Sequence, residues 1–344
     1  MEFDFVQIKT PLLQWYEKHH RVLPWRRDKE PYHVWISEIM LQQTRVEAVK
    51  DYYNRFMIEC PDVASLAALS EERLMKLWEG LGYYNRARNL KKTAMILEEQ
   101  YHGNFPVSFE KILALPGIGE YTAGAICSIC YGEGTPAVDG NVLRVVTRLA
   151  NWDSVIDDQK TKKQAREYLL PLYEKGDCGA LTQGLMELGA TVCIPNGSPK
   201  CHACPLSGFC MACQLKTYDR IPVRKKKKSK KEQELTVFVL QNEDRYGICK
   251  RPDKGLLANM WQFFNVEKKM TVEQAMQYAS DMGFWPVSVD KMIPYTHVFT
   301  HVKWNMQAYY IQCDRRNDSL TWVRKDELAD EYALPTAFRI FVDE

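Results

Sequence analysis

The 344-residue chain is predicted to contain a mainly α N-terminal region followed by a small α+β domain. Three observations predict this. From about Asp4 to Ala212, apolar residues recur three and four apart, as in Leu66–Trp78, Leu90–Gln100 and Thr161–Tyr173. A run of like charges, VRKKKKSKK from Val223 to Lys231, then interrupts the pattern and reads as a linker, because such a block repels itself and resists packing. Beyond it, LTVFVL, YGICKR, WQFFNV, NMQAYYIQC and LTWV are short, aromatic and β-branched, with one helix expected from Met270 to Met282. The expected boundaries are 1–220, a basic linker 221–233, and 234–344.

Composition excludes some classes. Hydrophobic content of 46% and charged content of 26% are ordinary for a globular protein. No uninterrupted apolar run reaches ~18 residues, so no membrane span is expected. MEFDFVQIKT has neither a basic n-region nor an apolar core, so a cytoplasmic location is expected. In a reducing compartment, eleven cysteines point to metal or cluster ligation and not to a disulfide framework. The net charge of +2 does not identify a nucleic-acid binder, so local features must carry that argument.

The segment YHVWISEIMLQQT reads as a helix that is apolar nearly all round and therefore buried, with Glu38 inside the apolar run. Loss of hydration there raises a carboxyl pKa and suits a general acid. Further on, LALPGIGEYTAGAIC reads as helix, tight turn, helix. Gly117 and Gly119 permit the turn, and the small side chains leave backbone N–H groups open to a phosphate. In AVDGNVLRVVTRL, Asp139 precedes a helix and can cap it. The cap and the dipole are expected to favour its ionised form. Two carboxylates in opposed environments mark acid and base roles. Cys193, Cys201, Cys204 and Cys210, separated by seven, two and five residues, suit an iron–sulfur cluster or structural zinc, with Cys213 as a possible fifth candidate.

Taken in this order, LPGIGEYTAG, VDGN and the four cysteines resemble the helix–hairpin–helix glycosylases of the Endonuclease III superfamily. LPWR (Leu23–Arg26), SEIMLQQTRVEAV, WEGLGYYNRARNL and AVDGNVLRV resemble the MutY-type adenine DNA glycosylases within it. The resemblance implies a base-excision-repair enzyme that hydrolyses the N-glycosidic bond of adenine opposite 8-oxoguanine or guanine in double-stranded DNA. It implies Glu38 as the acid that protonates adenine, Asp139 as the carboxylate facing the cationic sugar, and Tyr121 and Asn141 as its supports. It places Arg26 at the adenine pocket, and Gln43, Thr44 and Tyr83 against the duplex. A [4Fe–4S] cluster on the four cysteines is implied, as is a Nudix-like C-terminal domain that reads 8-oxoguanine with Phe299, Thr300 and His301.

The chain departs from the family pattern in three places. Seven residues, IPNGSPK, separate the first two cysteines where six are usual; the recognition loop is FTH where FSH is common; and Tyr121 stands where bifunctional relatives carry a catalytic lysine. Tyrosine cannot form a Schiff base, so a monofunctional enzyme is expected. Arg86, Arg88, Lys91 and Lys92 are candidate phosphate contacts. A monomer is expected. Rival readings are a bifunctional pyrimidine-damage glycosylase, a Nudix pyrophosphohydrolase and a non-catalytic mismatch-binding protein. The pyrophosphohydrolase is disfavoured because TVEQAMQYASDMGF lacks paired magnesium-binding carboxylates.

Overall fold

The computed structural model describes residues 3–174, 176–195, 197–226 and 229–343. Contacts sort the chain into two compact units. One comprises Met1–Ala68 and Arg88–Lys226, the other Leu69–Ala87 and Lys227–Glu344. The short segment Leu69–Ala87, which the sequence reading left inside the helical region, thus packs with the C-terminal residues. Lys227 and Lys228 of the expected linker lie outside the described residues, and regular structure resumes at Lys231.

The first unit is helical: α1 (Lys9–His19), α2 (Pro31–Leu41), α3 (Val46–Glu59) and α4 (Val63–Ala68) precede the excursion. Leu66–Trp78 is not one helix. Ser70 accepts a hydrogen bond from Arg73 N at 3.2 Å and caps a fresh start, so α5 (Glu71–Leu77) is separate. Then come α6 (Asn85–Tyr101), α7 (Phe109–Leu113), α8 (Glu120–Cys130), α9 (Gly140–Leu149), α10 (Gln159–Tyr173), α11 (Cys178–Thr191) and α12 (Met211–Gln214). Among the described residues, this half contains no strand beyond an isolated bridge between Val155 and Val223.

Two glycines set the geometry near the site. Gly117 has φ +74°, and a Cβ there would lie 2.6 Å from Asn89 Cβ, so the α7–α8 turn requires glycine twice over. The turn is pinned by Thr93 Oγ1, which donates to Pro116 O at 2.9 Å. Gly189 on α11 lets the start of α9 approach closely: a Cβ would meet Asn141 Cβ at 2.7 Å and Asn141 O at 2.9 Å. Leu12, Val142, Val146, Leu181, Leu185 and Leu188 form the core where α1, α9 and α11 meet.

The second unit holds a six-stranded mixed sheet in the order β4-β5-β1-β3-β2-β6. The strands are β1 (Lys231–Asn242), β2 (Arg245–Lys250), β3 (Trp261–Val266), β4 (Pro286–Val298), β5 (Val302–Cys313) and β6 (Thr321–Arg324). β1 runs parallel to β5 and antiparallel to β3, and Leu235–Leu240 are buried without a break, as expected of a strand covered on both faces. Leu235, Val237 and Val239 pack with Phe338 and Phe341 of α15 (Thr336–Asp343) and Leu328 of α14 (Lys325–Asp330). Phe238 and Leu240 pack on the other face with Ala275 and Ala279 of α13 (Val272–Asp281), the helix expected within Met270–Met282. The helical region and the α+β domain therefore follow the predicted classes.

Candidate active site

α2 is buried as its composition demands, and it carries Glu38 inward with only 6% of the residue exposed. Tyr121, one residue into α8, donates its hydroxyl to Glu38 Oε2. Burial pushes the Glu38 carboxyl up. The Tyr121 bond and the Arg26 charge pull it down, the Asp139 charge pushes it further up, and the result is about 7. Burial holds the Tyr121 phenol well above its ordinary range, so it remains a neutral donor at physiological pH.

Asp139 is the N-cap of α9, as expected. Val142 N donates to its Oδ1 at 2.7 Å and Asn141 Nδ2 to its Oδ2 at 2.8 Å. The expectation that this cap lowers its pKa is corrected. Desolvation by the surrounding protein outweighs the hydrogen bonds from Val142 and Asn141, and the net direction is upward. The two carboxylates therefore differ in their hydrogen bonding and not in the sign of the shift. Asp139 accepts bonds from two donors that favour its anion, whereas Glu38 accepts one from the Tyr121 phenol.

Glu38, Tyr121, Asp139 and Asn141 line one cleft of about 850 Å³ together with Arg26, Gln43, Thr44 and Gly119. Gln43 has φ +59° in the turn after α2, where Thr44 N donates to Leu41 O at 3.3 Å. Arg26 is not a free cation in this cleft, because its Nη2 is 2.9 Å from Oε2 of the fully buried Glu187. Arg21 holds the same carboxylate through Nε at 2.6 Å and Nη2 at 3.1 Å. Burial alone would raise Glu187, but the bonds from Arg21 and the charge of Arg26 outweigh it and hold the carboxyl below its usual range.

Glu187 and Arg21 were missed by the sequence reading, and so was Arg144. The Arg144 guanidinium is buried on α9 and reaches Asn141 Oδ1 and Gly189 O, both at 2.7 Å, while its Nε reaches Cys193 O at 2.6 Å. The available signal was arginine at positions 144 and 148 inside VLRVVTRL, charged residues on a helix otherwise built for burial.

Cys193, Cys201, Cys204 and Cys210 line one small cavity, and Cys213 joins them. Arg148 Nη1 donates to Cys193 Sγ at 3.2 Å. Burial pushes the Cys204 thiol up to about 12 and, with neighbouring cysteines, Cys201 to about 11. A bound cation would offset that burial and favour the Cys201 and Cys204 thiolates, and the grouped thiols are a donor set that fits a metal cluster. Among the described residues, no three His, Cys, Asp or Glu side chains are placed to share a single ion. Asn196, in the seven-residue loop, lies outside the described residues.

The residues expected to form the recognition loop lie in the second unit. Phe299, Thr300 and His301 form the tip between β4 and β5, closed by Phe299 N donating to Val302 O at 2.8 Å. Phe299 packs edge-on against Trp304 at 4.8 Å, and Thr300 and His301 are exposed. Tyr83 belongs to this unit too. Its hydroxyl lies 2.8 Å from Thr300 Oγ1. Arg86, expected as a phosphate contact, is drawn inward, with Nη2 donating to Leu81 O at 3.2 Å and Gly82 O at 3.1 Å. No described helix is long and apolar enough to cross a membrane.

With this geometry in hand, comparison with known proteins is informative. Residues 36–171 match the family described as HhH-GPD superfamily base excision DNA repair protein, and residues 236–344 match the NUDIX domain. The adenine DNA glycosylase of Buchnera aphidicola subsp. Acyrthosiphon pisum is 34% identical over 291 residues, covering 84% of this chain and 82% of that one. The Mus musculus adenine DNA glycosylase is 30% identical, covering 99% of this chain and 79% of its own length. Among solved structures, a thermostable thymine-DNA glycosylase superposes with a TM-score of 0.54 at 27% identity, over 61% of this chain and 96% of that one. Endonuclease III bound non-covalently to DNA superposes at 0.53 and 23% identity over a similar span, a likeness of fold.

Proposed function

Because the chain belongs to the adenine DNA glycosylase family, we propose that it is a monofunctional base-excision enzyme that releases adenine opposite 8-oxoguanine or guanine in duplex DNA. The observation that carries this reading is a carboxyl poised near neutral pH, Glu38, facing the same cleft as the helix-capping carboxylate of Asp139. A target base must leave the stack to reach a buried acid, at a cost of a few kcal/mol. The cleft of about 850 Å³ is large enough to receive a purine nucleoside.

Adenine is a poor leaving group as an anion. With Tyr121 donating to Oε2, Glu38 carries its proton on the other oxygen and delivers it to the base, which departs neutral. The sugar then becomes oxocarbenium-like, and the Asp139 carboxylate, which accepts from Val142 N and Asn141 Nδ2, faces the positive charge until water adds. Arg26 and Arg21 are engaged by Glu187 and shape the wall without neutralising Glu38 directly. No amine is available at position 121 to form a Schiff base, so the abasic strand is left intact.

Cys193, Cys201, Cys204 and Cys210 are proposed to hold a [4Fe–4S] cluster. The four thiols line one cavity, a donor set that suits such a cluster. The bound cluster would fix the 193–210 loop, whose Cys193 carbonyl holds Arg144. Phe299, Thr300 and His301 are proposed to read 8-oxoguanine, the hydroxyl of Thr300 serving where serine is common. The nucleic-acid contacts are assigned to Gly117, Gly119, Gln43, Thr44 and Tyr83.

The test is single-turnover incubation with duplexes holding adenine opposite 8-oxoguanine, guanine, cytosine or thymine, followed by alkali. Alkali-dependent scission confined to the first two supports the reading. Scission without alkali, or none in any duplex, overturns it.

A further inference from the structure

We propose that Glu79 is a positioning residue that makes Leu69–Ala87 part of the base-reading apparatus of the C-terminal unit. This inference rests on the reading above and concerns how the base opposite the adenine is discriminated. The Glu79 residue is only 9% exposed. Its Oε1 accepts a hydrogen bond from Leu334 N at 2.9 Å, and its Oε2 lies 2.7 Å from Lys76 Nζ and 3.5 Å from Arg339 Nη1. Lys76 Nζ also donates to Tyr332 O at 3.3 Å. One carboxylate thereby ties the end of α5 to the connection between α14 and α15 and to α15 itself. A buried carboxylate satisfied by a backbone N–H and two cations holds its geometry firmly.

The grip is passed on through a stiff turn. Gly80 and Gly82 have φ +94° and +70°, and Tyr83 itself is left-handed at +49°. Trp78 Nε1 donates to Gly82 O at 3.1 Å, and Arg86 bonds Leu81 O and Gly82 O while its guanidinium lies 5.4 Å from the Trp78 ring and 5.5 Å from the Tyr83 ring. A non-glycine residue persists in the left-handed region only when its surroundings over-determine it. The Tyr83 hydroxyl then meets Thr300 at the tip of the β4–β5 hairpin, while 47% of the residue stays exposed. Glu79 fixes one end of this turn and Thr300 the other, so the angle of the Tyr83 ring is set by the same unit that carries Phe299 and His301.

The experiment uses the full-length protein with Glu79→Ala and Glu79→Gln, measuring single-turnover excision of adenine opposite 8-oxoguanine and opposite guanine. The expected result for Glu79→Ala is a drop of about fivefold in the ratio of the two rates with the guanine-paired rate held within about twofold, since one hydrogen-bonded anchor is worth roughly that factor. Glu79→Gln, which keeps an acceptor for Leu334 N, recovers part of the ratio. The ratio effect disappears when Thr300→Ala is already present. An unchanged ratio, or equal losses on both duplexes, overturns the proposal. If Glu79→Ala does not fold, Glu79→Gln decides alone: a smaller drop in the ratio supports the proposal, and an unchanged ratio or equal losses on both duplexes overturn it. Wild-type inactivity on every duplex would instead sink the enzymatic reading on which this rests.

Discussion

The two units treat buried charge differently. The first buries Glu38, Arg144, Arg148 and Glu187, each at 6% exposure or less. Among the described residues of 229–343, the buried polar side chains are Thr236 and Gln262, neither of them ionisable. Both faces of the sheet pack against apolar clusters. Burying a charge costs several kcal/mol unless partners recover it, so a fold carries such groups where chemistry or precise placement requires them. On the proposed reading, the contrast separates a unit that moves a proton from one that recognises the opposite base. Glu79, the buried charge of the second unit, lies on the excursion Leu69–Ala87 and performs placement.

The contrast can be broken most severely at the carboxylates. Glu38→Gln and Asp139→Asn should each lower single-turnover excision by about 10²–10⁴-fold, the range for a lost acid or charge-stabilising group, while DNA binding measured by gel shift persists. Wild-type rates in both would remove the distinction between the units. Next in size is Gly189→Ala. The added carbon lies 2.9 Å from Asn141 O and must push α9 away, so a stability loss of about 1–3 kcal/mol in urea melts and a slower rate are expected together.

The acid itself gives a stability prediction of the opposite sign. The folded Glu38 carboxyl sits near 7 against an ordinary 4.5. The native state therefore holds a proton that the unfolded chain has lost, and Glu38 costs stability as pH rises from about 4.5 through 7. Glu38→Gln should therefore melt higher at pH 8, by up to about 3 kcal/mol, and gain nothing from this source at pH 4. Gain at pH 4 alone would contradict the burial argument. Activity should fall above pH 7 as this proton is lost, and on the acid side as Asp139, itself raised, becomes protonated. Smallest is His301→Ala on the exposed tip, expected to shrink the preference for 8-oxoguanine over guanine by a few-fold, as one lost hydrogen bond would, with the guanine-paired rate unchanged.

These outcomes divide along what local sequence can reveal. Glu38 was legible because an acid inside WISEIM is surrounded by apolar neighbours within its own helix. Asp139 was legible as a cap, but its pKa direction was not, because desolvation comes from walls contributed by distant segments. Glu187 and Arg144 escaped notice because their partners, Arg21 and Cys193, lie far along the chain. β4 was missed altogether. As an edge strand it is largely exposed, carries Asp290 and Lys291, and tolerates Pro294, so it lacks the short aromatic and β-branched character by which the other strands were read. The membership of Leu69–Ala87 was equally hidden, since its periodicity is helical and the residues Glu79 grips lie more than 250 positions away.

The contact between Tyr121 and Glu38 limits what position 121 can hold. A lysine at 121 would bring an ammonium to the oxygen that now receives a phenol hydrogen. Its charge would hold Glu38 ionised at neutral pH and remove the proton that adenine departure requires. The same substitution that introduces a nucleophile thus disarms the acid. On the proposed reading, Tyr121→Lys would therefore trade proton-assisted release of adenine for a candidate nucleophile at the same oxygen.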